Sequence, residues 1–156
     1  MNTMTPRQRT AVVTLVSFTL ILVAYVIILA PYVLSGELTT APLKKLWVTV
    51  IFGSAIVVIA GIIITQTIAS ATLAVTEGKE AAEAEAYQAD DERDRLIDLK
   101  GKSTAYLFLS IGMTTAMLTY LFDYPPAVMF SLLIFFGLLG EIAGDVRRLL
   151  LYRKGV

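Results

Sequence analysis

Four long stretches of this chain carry almost no charge, and each is long enough to cross a membrane as a helix. A helix needs about 20 apolar residues to span the hydrocarbon core of a bilayer. Charged residues are absent from residues 10–36 and again from residues 46–76. We therefore predict an all-α polytopic membrane protein, folded as a single four-helix transmembrane domain over residues 1–156. The predicted spans are residues 11–34, 46–76, 103–122 and 126–150.

The composition agrees with this class and excludes several kinds of chemistry. Hydrophobic residues make up 56% of the chain, above the 45–50% that is usual for soluble domains. The sequence has no cysteine and no histidine, which removes disulfides, thiolate and imidazole metal ligands, the usual haem ligands and the common catalytic triads. The net charge of zero gives no indication of nucleic-acid binding. We predict no cofactor, no metal and no enzymatic activity.

The first apolar stretch could in principle be a cleaved signal peptide. Its apolar core of about 20 residues is longer than the 7–15 residues of a signal sequence. Ala30, the nearest small residue at a suitable distance, is followed by Pro31, which is a poor context for cleavage. We predict a retained transmembrane helix.

The distribution of lysine and arginine predicts the orientation. With the N-terminus inside, eleven of the 13 basic residues fall on the inner side and only Lys44 and Lys45 fall on the outer side. Both termini are therefore predicted to be cytoplasmic. Aromatic residues that favour the interface lie near the proposed outer boundary: Tyr32, Trp47, Tyr120 and Tyr124. Tyr124-Pro125-Pro126 predicts a tight outer turn, with a proline in the first turn of the fourth helix.

The predicted inner connection, residues 77–102, is a charged arm. Its first part, EGKEAAEAEAYQ, is rich in alanine and glutamate, which favour helix. We predict that the second span continues as a cytoplasmic helix to about Gln88, with Gly78 as its weakest position. A flexible linker is the alternative, because this segment has no apolar face to bury.

Nine charges fall within residues 90–102, immediately before the third span. Asp91 and Arg95, and Asp98 and Lys102, are spaced for ion pairs between i and i+4. The acids come first and favour the N-terminus of a helix, so the segment is predicted to begin the third helix. A stripe at helical spacing is expected to pack on the extension of the second span: Leu96, Leu99, Ser103 and Tyr106.

The same segment could instead be a docking surface for a cytoplasmic protein partner, for anionic lipid headgroups or for a second copy of the chain. A metal site is disfavoured, since the spacing of the acids does not match a calcium-binding loop. The candidate docking residues are Asp91, Glu92, Arg93, Asp94, Arg95 and Asp98.

The string DERDRLIDLKGKSTAY, Asp91 to Tyr106, resembles the signature of a family of small uncharacterised prokaryotic membrane proteins. Their pattern is an Asp-Glu-Arg-Asp sequence, apolar residues, a lysine, and Ala-Tyr at the opening of a transmembrane helix. The resemblance implies a prokaryotic inner-membrane protein of unknown function. It supplies no catalytic residue.

Small residues in the last two spans predict close helix packing, because they let helix backbones approach each other. The pattern suits packing of the third helix on the fourth or packing between two copies, and a homodimer is favoured. The candidates are Gly112, Ala116, Gly137, Gly140 and Gly144.

Glu141, Asp145 and Arg148 fall on one face of the fourth helix, at i, i+4 and i+7. Asp145 and Arg148 are spaced for a pair between i and i+3, while Glu141 is expected to lie within the inner leaflet. By depth, Gln66 and Thr65 on the second span are its expected partners. The cluster is either a proton- or cation-responsive site centred on Glu141 or a structural hydrogen-bond network.

Two functions follow from these features. The first is a non-enzymatic, homo-oligomeric membrane protein that uses its charged arm for docking or regulation. The alternative is a small oligomeric ion or proton channel or transporter. Its polar lining would come from Thr65, Gln66, Ser110, Thr114 and Glu141.

Overall fold

The computed structural model describes residues 4–36, 38–76 and 92–154, and these residues form four long helices. The helices are α1 (Pro6–Leu34), α2 (Thr40–Thr76), α3 (Glu92–Leu121) and α4 (Pro126–Lys154). Each is long and apolar enough to cross a membrane. The prediction of an all-α membrane protein with four such helices is confirmed. The predicted helical extension over residues 77–88 lies outside the described residues.

Three of the helices, α1, α2 and α3, begin before the predicted spans, and in α1 a capping motif determines where the helix starts. Thr5 is the N-cap of α1, and its hydroxyl accepts a hydrogen bond from the Gln8 amide at 3.3 Å. The Gln8 side chain accepts one from the Thr5 amide at 3.0 Å. Pro6 occupies the first helical position, where its missing N–H costs nothing.

The helices contact each other in the order α2, α1, α4, α3. The α3–α4 interface is the most extensive, the α1–α4 and α1–α2 interfaces are intermediate, and the α2–α4 interface is small. Among the described residues, α2 and α3 have no substantial interface with each other. The arrangement is therefore open on the side between α2 and α4.

Small residues bring α3 and α4 together, as the sequence predicts. A methyl group on Gly140 would lie 3.0 Å from the carbonyl oxygen of Ala105, and one on Gly144 would lie 3.0 Å from that of Gly101. On α3, Gly112 packs directly against the Phe136 side chain. Ala116 of the same helix is fully buried.

Gly137 differs from the other small residues because it is not part of the close α3–α4 contact within the chain, and its packing against a second copy stays a prediction. A methyl group at Gly137 would meet nothing within 4 Å. Gly137 lies three residues before Gly140, about 60° away around α4, and it lines cavities on both the α2 side and the α3 side.

An aromatic cluster closes the end of the bundle near the α3–α4 turn. Tyr25, which is fully buried, donates a hydrogen bond of 3.0 Å from its hydroxyl to the Ser131 carbonyl. Trp47 packs on Phe130 with ring centroids 5.4 Å apart. Leu43 is fully buried in the same cluster and anchors the start of α2.

The turn between α3 and α4 is a Schellman motif that uses an aspartate where glycine is usual. The Tyr124 amide donates to the Thr119 carbonyl at 3.1 Å, and the Asp123 amide donates to the Tyr120 carbonyl at 3.2 Å. Asp123 has a φ of 60°, a left-handed conformation that is costly for a residue with a side chain. The predicted outer turn is thus tight, and α4 begins at Pro126 as expected.

Replacing Asp123 by glycine is expected to stabilise the protein by about 0.5–1 kcal/mol, because glycine adopts this conformation without a steric penalty. Reversible unfolding in mixed micelles, followed by circular dichroism, measures the change. Gly36 has a φ of 70° and serves as the reciprocal control. Gly36→Ala should destabilise by a similar amount, and a loss of stability in Asp123→Gly would show that the aspartate side chain itself supports the turn.

Candidate functional site

The candidate site lies where the start of α1, the start of α3 and the end of α4 meet. Arg148 on α4 is its centre. The Arg148 Nε atom lies 3.0 Å from Asp98 Oδ1 on α3, and the Arg148 guanidinium also pairs with Asp145 one turn earlier on α4. One arginine therefore joins an acid of α3 to an acid of its own helix.

Asp145 extends this network to α1. Its side chain has no exposed surface, and Oδ2 accepts a hydrogen bond of 2.5 Å from the Thr14 hydroxyl. A buried carboxylate is costly unless it is paired and hydrogen-bonded, and Asp145 has both kinds of partner. The predicted pair between Asp145 and Arg148 is confirmed.

Asp98 completes the network on the side of α3. Its Oδ2 atom lies 2.7 Å from Lys102 Nζ, so the predicted pair between i and i+4 is confirmed. The equivalent pair between Asp91 and Arg95 involves a residue outside the described part of the chain. Asp98 thus contacts one base on α3 and one on α4.

Two glycines leave the space that the Arg148 side chain occupies. A side chain at Gly101 would overlap the Arg148 side chain and would also lie 3.0 Å from the Gly144 carbonyl oxygen. Because neither Gly101 nor Gly144 has a side chain, Arg148 can extend between α3 and α4 and reach Asp98. The ion pair and the helix packing therefore depend on the same glycines.

A cavity of ≈ 350 Å³ adjoins the network between α1, α3 and α4. Its polar lining includes Arg7, Thr10 and Tyr152 beside the residues of the ion-pair network. Arg7 lies close enough to act electrostatically on Asp98, and the Tyr152 hydroxyl interacts with the Asp94 carboxylate. The end of the bundle where α1 and α3 begin is therefore a charged region, held by ion pairs and hydrogen bonds between helices, rather than an apolar one.

The prediction that Gln66 is the partner of Glu141 is wrong. The Gln66 side chain donates instead to the Thr10 hydroxyl at 2.9 Å and to the Pro6 carbonyl at 3.1 Å. It therefore joins α2 to the first turn of α1. Thr65, the other expected partner, precedes Gln66 on α2, which has only a small interface with α4.

Glu141 is exposed in the described structure, and Asp145 is the buried acid on this face of α4. The reason lies on α1. Thr14 offers a hydroxyl to Asp145, whereas Phe18, one turn further along α1, has no hydrogen-bond donor in its side chain. A carboxylate facing α1 at the level of Phe18 would be unpaired.

The structure divides the predicted docking residues into two groups. Asp94, only 9% exposed, and Asp98 are turned inward and contact other residues of the chain. Glu92, Arg93 and Arg95 are exposed, and Asp91 lies outside the described residues. Two of the six candidates are thus internal contacts of the bundle.

Leu96, Leu99 and Tyr106 of the apolar stripe are exposed in the described bundle, and their predicted contact with the extension of the second span involves residues outside the described part of the chain. Ile97 and Gly101 form the buried side of the same turns and face α4. The small residues on α4 let the α3 backbone come closer through Gly101 than it could through the leucines. The α3 helix therefore faces α4 with Gly101 and leaves the leucines exposed.

The five polar residues of the alternative channel do not face a common path within one chain. Ser110 and Thr114 lie on the exposed surface of α3, where the Thr114 hydroxyl donates to the Ser110 carbonyl at 2.9 Å. Thr65 and Gln66 lie on α2, at the opposite end of the order in which the helices contact each other. The alternative channel requires an oligomer and stays a prediction.

Four residues of the site and the core were not singled out from the sequence: Thr14, Tyr25, Gly101 and Tyr152. Thr14 and Tyr25 lie in an uncharged stretch, and only the depth of each along α1 relative to α4 could have indicated its role. Gly101 stands four residues before Ala105, a small-residue spacing that does predict packing.

No protein-family model, curated protein or solved structure matches this chain. The resemblance of residues 91–106 to a prokaryotic family therefore stays a hypothesis. Residues 4–36, 38–76 and 92–154 contain no group of three or more acidic, histidine or cysteine side chains placed to hold a metal ion.

Proposed function

We propose that this chain is a non-enzymatic integral membrane protein that presents a charged helical surface to a protein partner in the cytoplasm. We name this surface the docking face. It is formed by the exposed residues of the first three turns of α3: Glu92, Arg93, Arg95, Leu96, Leu99 and Lys100.

The exposure of Leu96 and Leu99 is the observation that carries this proposal. These side chains are 53% and 54% exposed, and they lie among charged residues before the apolar part of α3. Leucines placed there do not face the hydrocarbon core, and apolar side chains with a charged rim are typical of protein interfaces. Three bases and one acid surround them, which favours a partner with an apolar strip and an acidic rim.

The ion-pair network supports the proposal by fixing this surface. Asp98 and Ile97 lie on the opposite side of the same turns and hold the start of α3 against α4. A surface that is already ordered loses less conformational entropy when a partner binds. The docking face is thus held in one position before the partner arrives.

The orientation and the compartment are part of the same proposal. With the N-terminus inside, the order of the spans assigns eleven of the 13 basic residues to the side of the docking face, and the positive-inside rule makes this side cytoplasmic. We place the protein in a prokaryotic inner membrane with both termini inside. The homodimer stays a prediction, and the experiment below also measures it.

Cross-linking in native membranes, followed by mass determination, tests the docking face. The unmodified protein is expected to form a discrete adduct with a second protein. Leu96→Asp should weaken this adduct by about 30-fold, as expected for about 2 kcal/mol lost at the centre of an interface. An adduct whose mass is twice that of the chain would identify the homodimer.

Leu150→Asp is the matched control. Leu150 is also an exposed leucine at this end of the bundle, but it lies on α4 and outside the docking face. The control should keep the adduct, and both variants should insert normally. The proposal fails if Leu96→Asp retains the adduct in full, or if no adduct forms with the unmodified protein.

A further inference from the structure

A groove of ≈ 680 Å³ lies on the open side of the bundle, between α2 and α4. Phe18 of α1 lines it, together with Val50 and Ile51 of α2 and Ile134 and Gly137 of α4. Its volume falls within the about 300–1,000 Å³ of ligand sites in proteins. The groove is separate from the ion-pair network and from the docking face.

The groove exists because the contacts between α2 and α4 are few. Trp47 and Phe130 join the two helices near Lys44. Further along, Gly137 has nothing within 4 Å of the position that a methyl group would occupy. The α2 and α4 helices therefore contact each other at the Lys44 end of the groove and leave an open space near Gly137.

The dimensions of the groove match one leaflet of a bilayer. On α2 its lining runs from Lys44 to Ser54, which is about 15 Å at 1.5 Å per residue. On α4 it runs from Phe130 to Glu141, about 16 Å by the same rise. Half of a hydrocarbon core of about 30 Å is the same length.

The ends of the groove differ in charge. Lys44 is exposed at the end near the α3–α4 turn, outside the long uncharged part of α2, and Glu141 lies at the opposite end. The part between them is lined mainly by aromatic and aliphatic side chains. The groove is also open sideways, since Val48 and Ile51 are more than half exposed. A molecule could therefore enter from the plane of the membrane.

We propose that this groove binds one anionic phospholipid from the leaflet on the Lys44 side. The phosphate lies at the Lys44 ammonium, and one acyl chain lies along Ile51 and Ile134 toward Gly137. The apolar lining binds the chain by van der Waals packing, and the charge at Lys44 selects an anionic headgroup. This site does not depend on the proposed docking function.

Photolabelling in nanodiscs tests the site. The full-length protein is placed in phosphatidylcholine nanodiscs that contain a small fraction of phosphatidylglycerol with a photoactivatable acyl chain. Labelled residues are then identified by mass spectrometry. The label is expected to concentrate on the groove residues Val50, Ile51 and Ile134. Excess unlabelled phosphatidylglycerol should displace it more effectively than phosphatidylcholine.

Two variants with matched controls make the test specific. Gly137→Leu fills the groove and should reduce groove labelling at least fivefold. Gly53→Leu places the same side chain at another open glycine of a spanning helix, outside the groove lining, and should not. Lys44→Gln should remove the preference for the anionic lipid, whereas Lys45→Gln, at an exposed neighbour outside the lining, should keep it.

Three results would overturn the proposal. One is equal labelling of all lipid-facing surfaces, which would indicate ordinary lipid contact. Another is unchanged groove labelling in Gly137→Leu. The third is cross-linking of groove residues to a second copy of the chain in place of lipid. Lys44→Gln adds no bulk to the bundle, so its result stands even if Gly137→Leu does not fold.

Discussion

Arg148→Met is expected to destabilise the folded protein by about 3–5 kcal/mol, because it leaves the buried Asp145 carboxylate without its counter-charge. Asp145 would keep the hydrogen bond from Thr14, but one neutral hydroxyl does not replace an arginine. Asp98 would also lose its contact with α4 and keep its ion pair with Lys102. Reversible unfolding in mixed micelles measures the loss.

The neighbouring residue provides the control. Arg147 is exposed, and Arg147→Met should change the stability by less than about 0.5 kcal/mol. The double variant Arg148→Met, Asp145→Leu should recover much of the lost stability, since it removes the uncompensated charge. Equal effects of Arg147→Met and Arg148→Met would contradict the account of the network.

The second large effect is expected at the contact between α3 and α4. Gly144→Leu should destabilise by about 3 kcal/mol or more, because the new side chain has to displace the α3 backbone rather than a flexible side chain. A methyl group at Gly144 already lies 3.0 Å from the Gly101 carbonyl oxygen and 3.2 Å from the Ala105 side chain. The same unfolding assay measures the effect.

Gly137→Leu is the matched control, on the same helix and with the same side chain. Nothing lies within 4 Å of a methyl group at Gly137, so we expect its stability to change by less than about 1 kcal/mol. If Gly137→Leu were as harmful as Gly144→Leu, the cost would come from the loss of glycine itself. The α3–α4 contact would then not be the cause.

The helices could be predicted from the sequence, whereas their faces could be predicted only in part. Long uncharged stretches require spanning helices, so the number and approximate positions of the spans followed directly. The rotation of α3 did not. Leu96 and Leu99 form an apolar stripe, but the periodicity does not show that α3 contacts α4 through Gly101 and leaves these leucines exposed in the described bundle.

The charged site was predicted in its local pairs and missed in its tertiary contacts. The pairs Asp98–Lys102 and Asp145–Arg148 depend only on helical spacing, which the sequence contains. The contact between Asp98 and Arg148 depends on the height of α3 relative to α4. The burial of Asp145 in place of Glu141 depends on which residue of α1 carries a hydroxyl. Neither the position of α3 along α4 nor the α1 residue that faces Asp145 can be read from the sequence without knowing how the helices pack.

The most direct test of the docking proposal is a photo-cross-linker placed residue by residue over positions 95–99 in native membranes. Leu96 and Leu99 should each give the same adduct with a second protein. Ile97, which faces α4, should give only cross-links within the chain. This alternation with helical spacing is the predicted result. An intermolecular adduct from Ile97 as strong as that from Leu96, or none from either leucine, would contradict it.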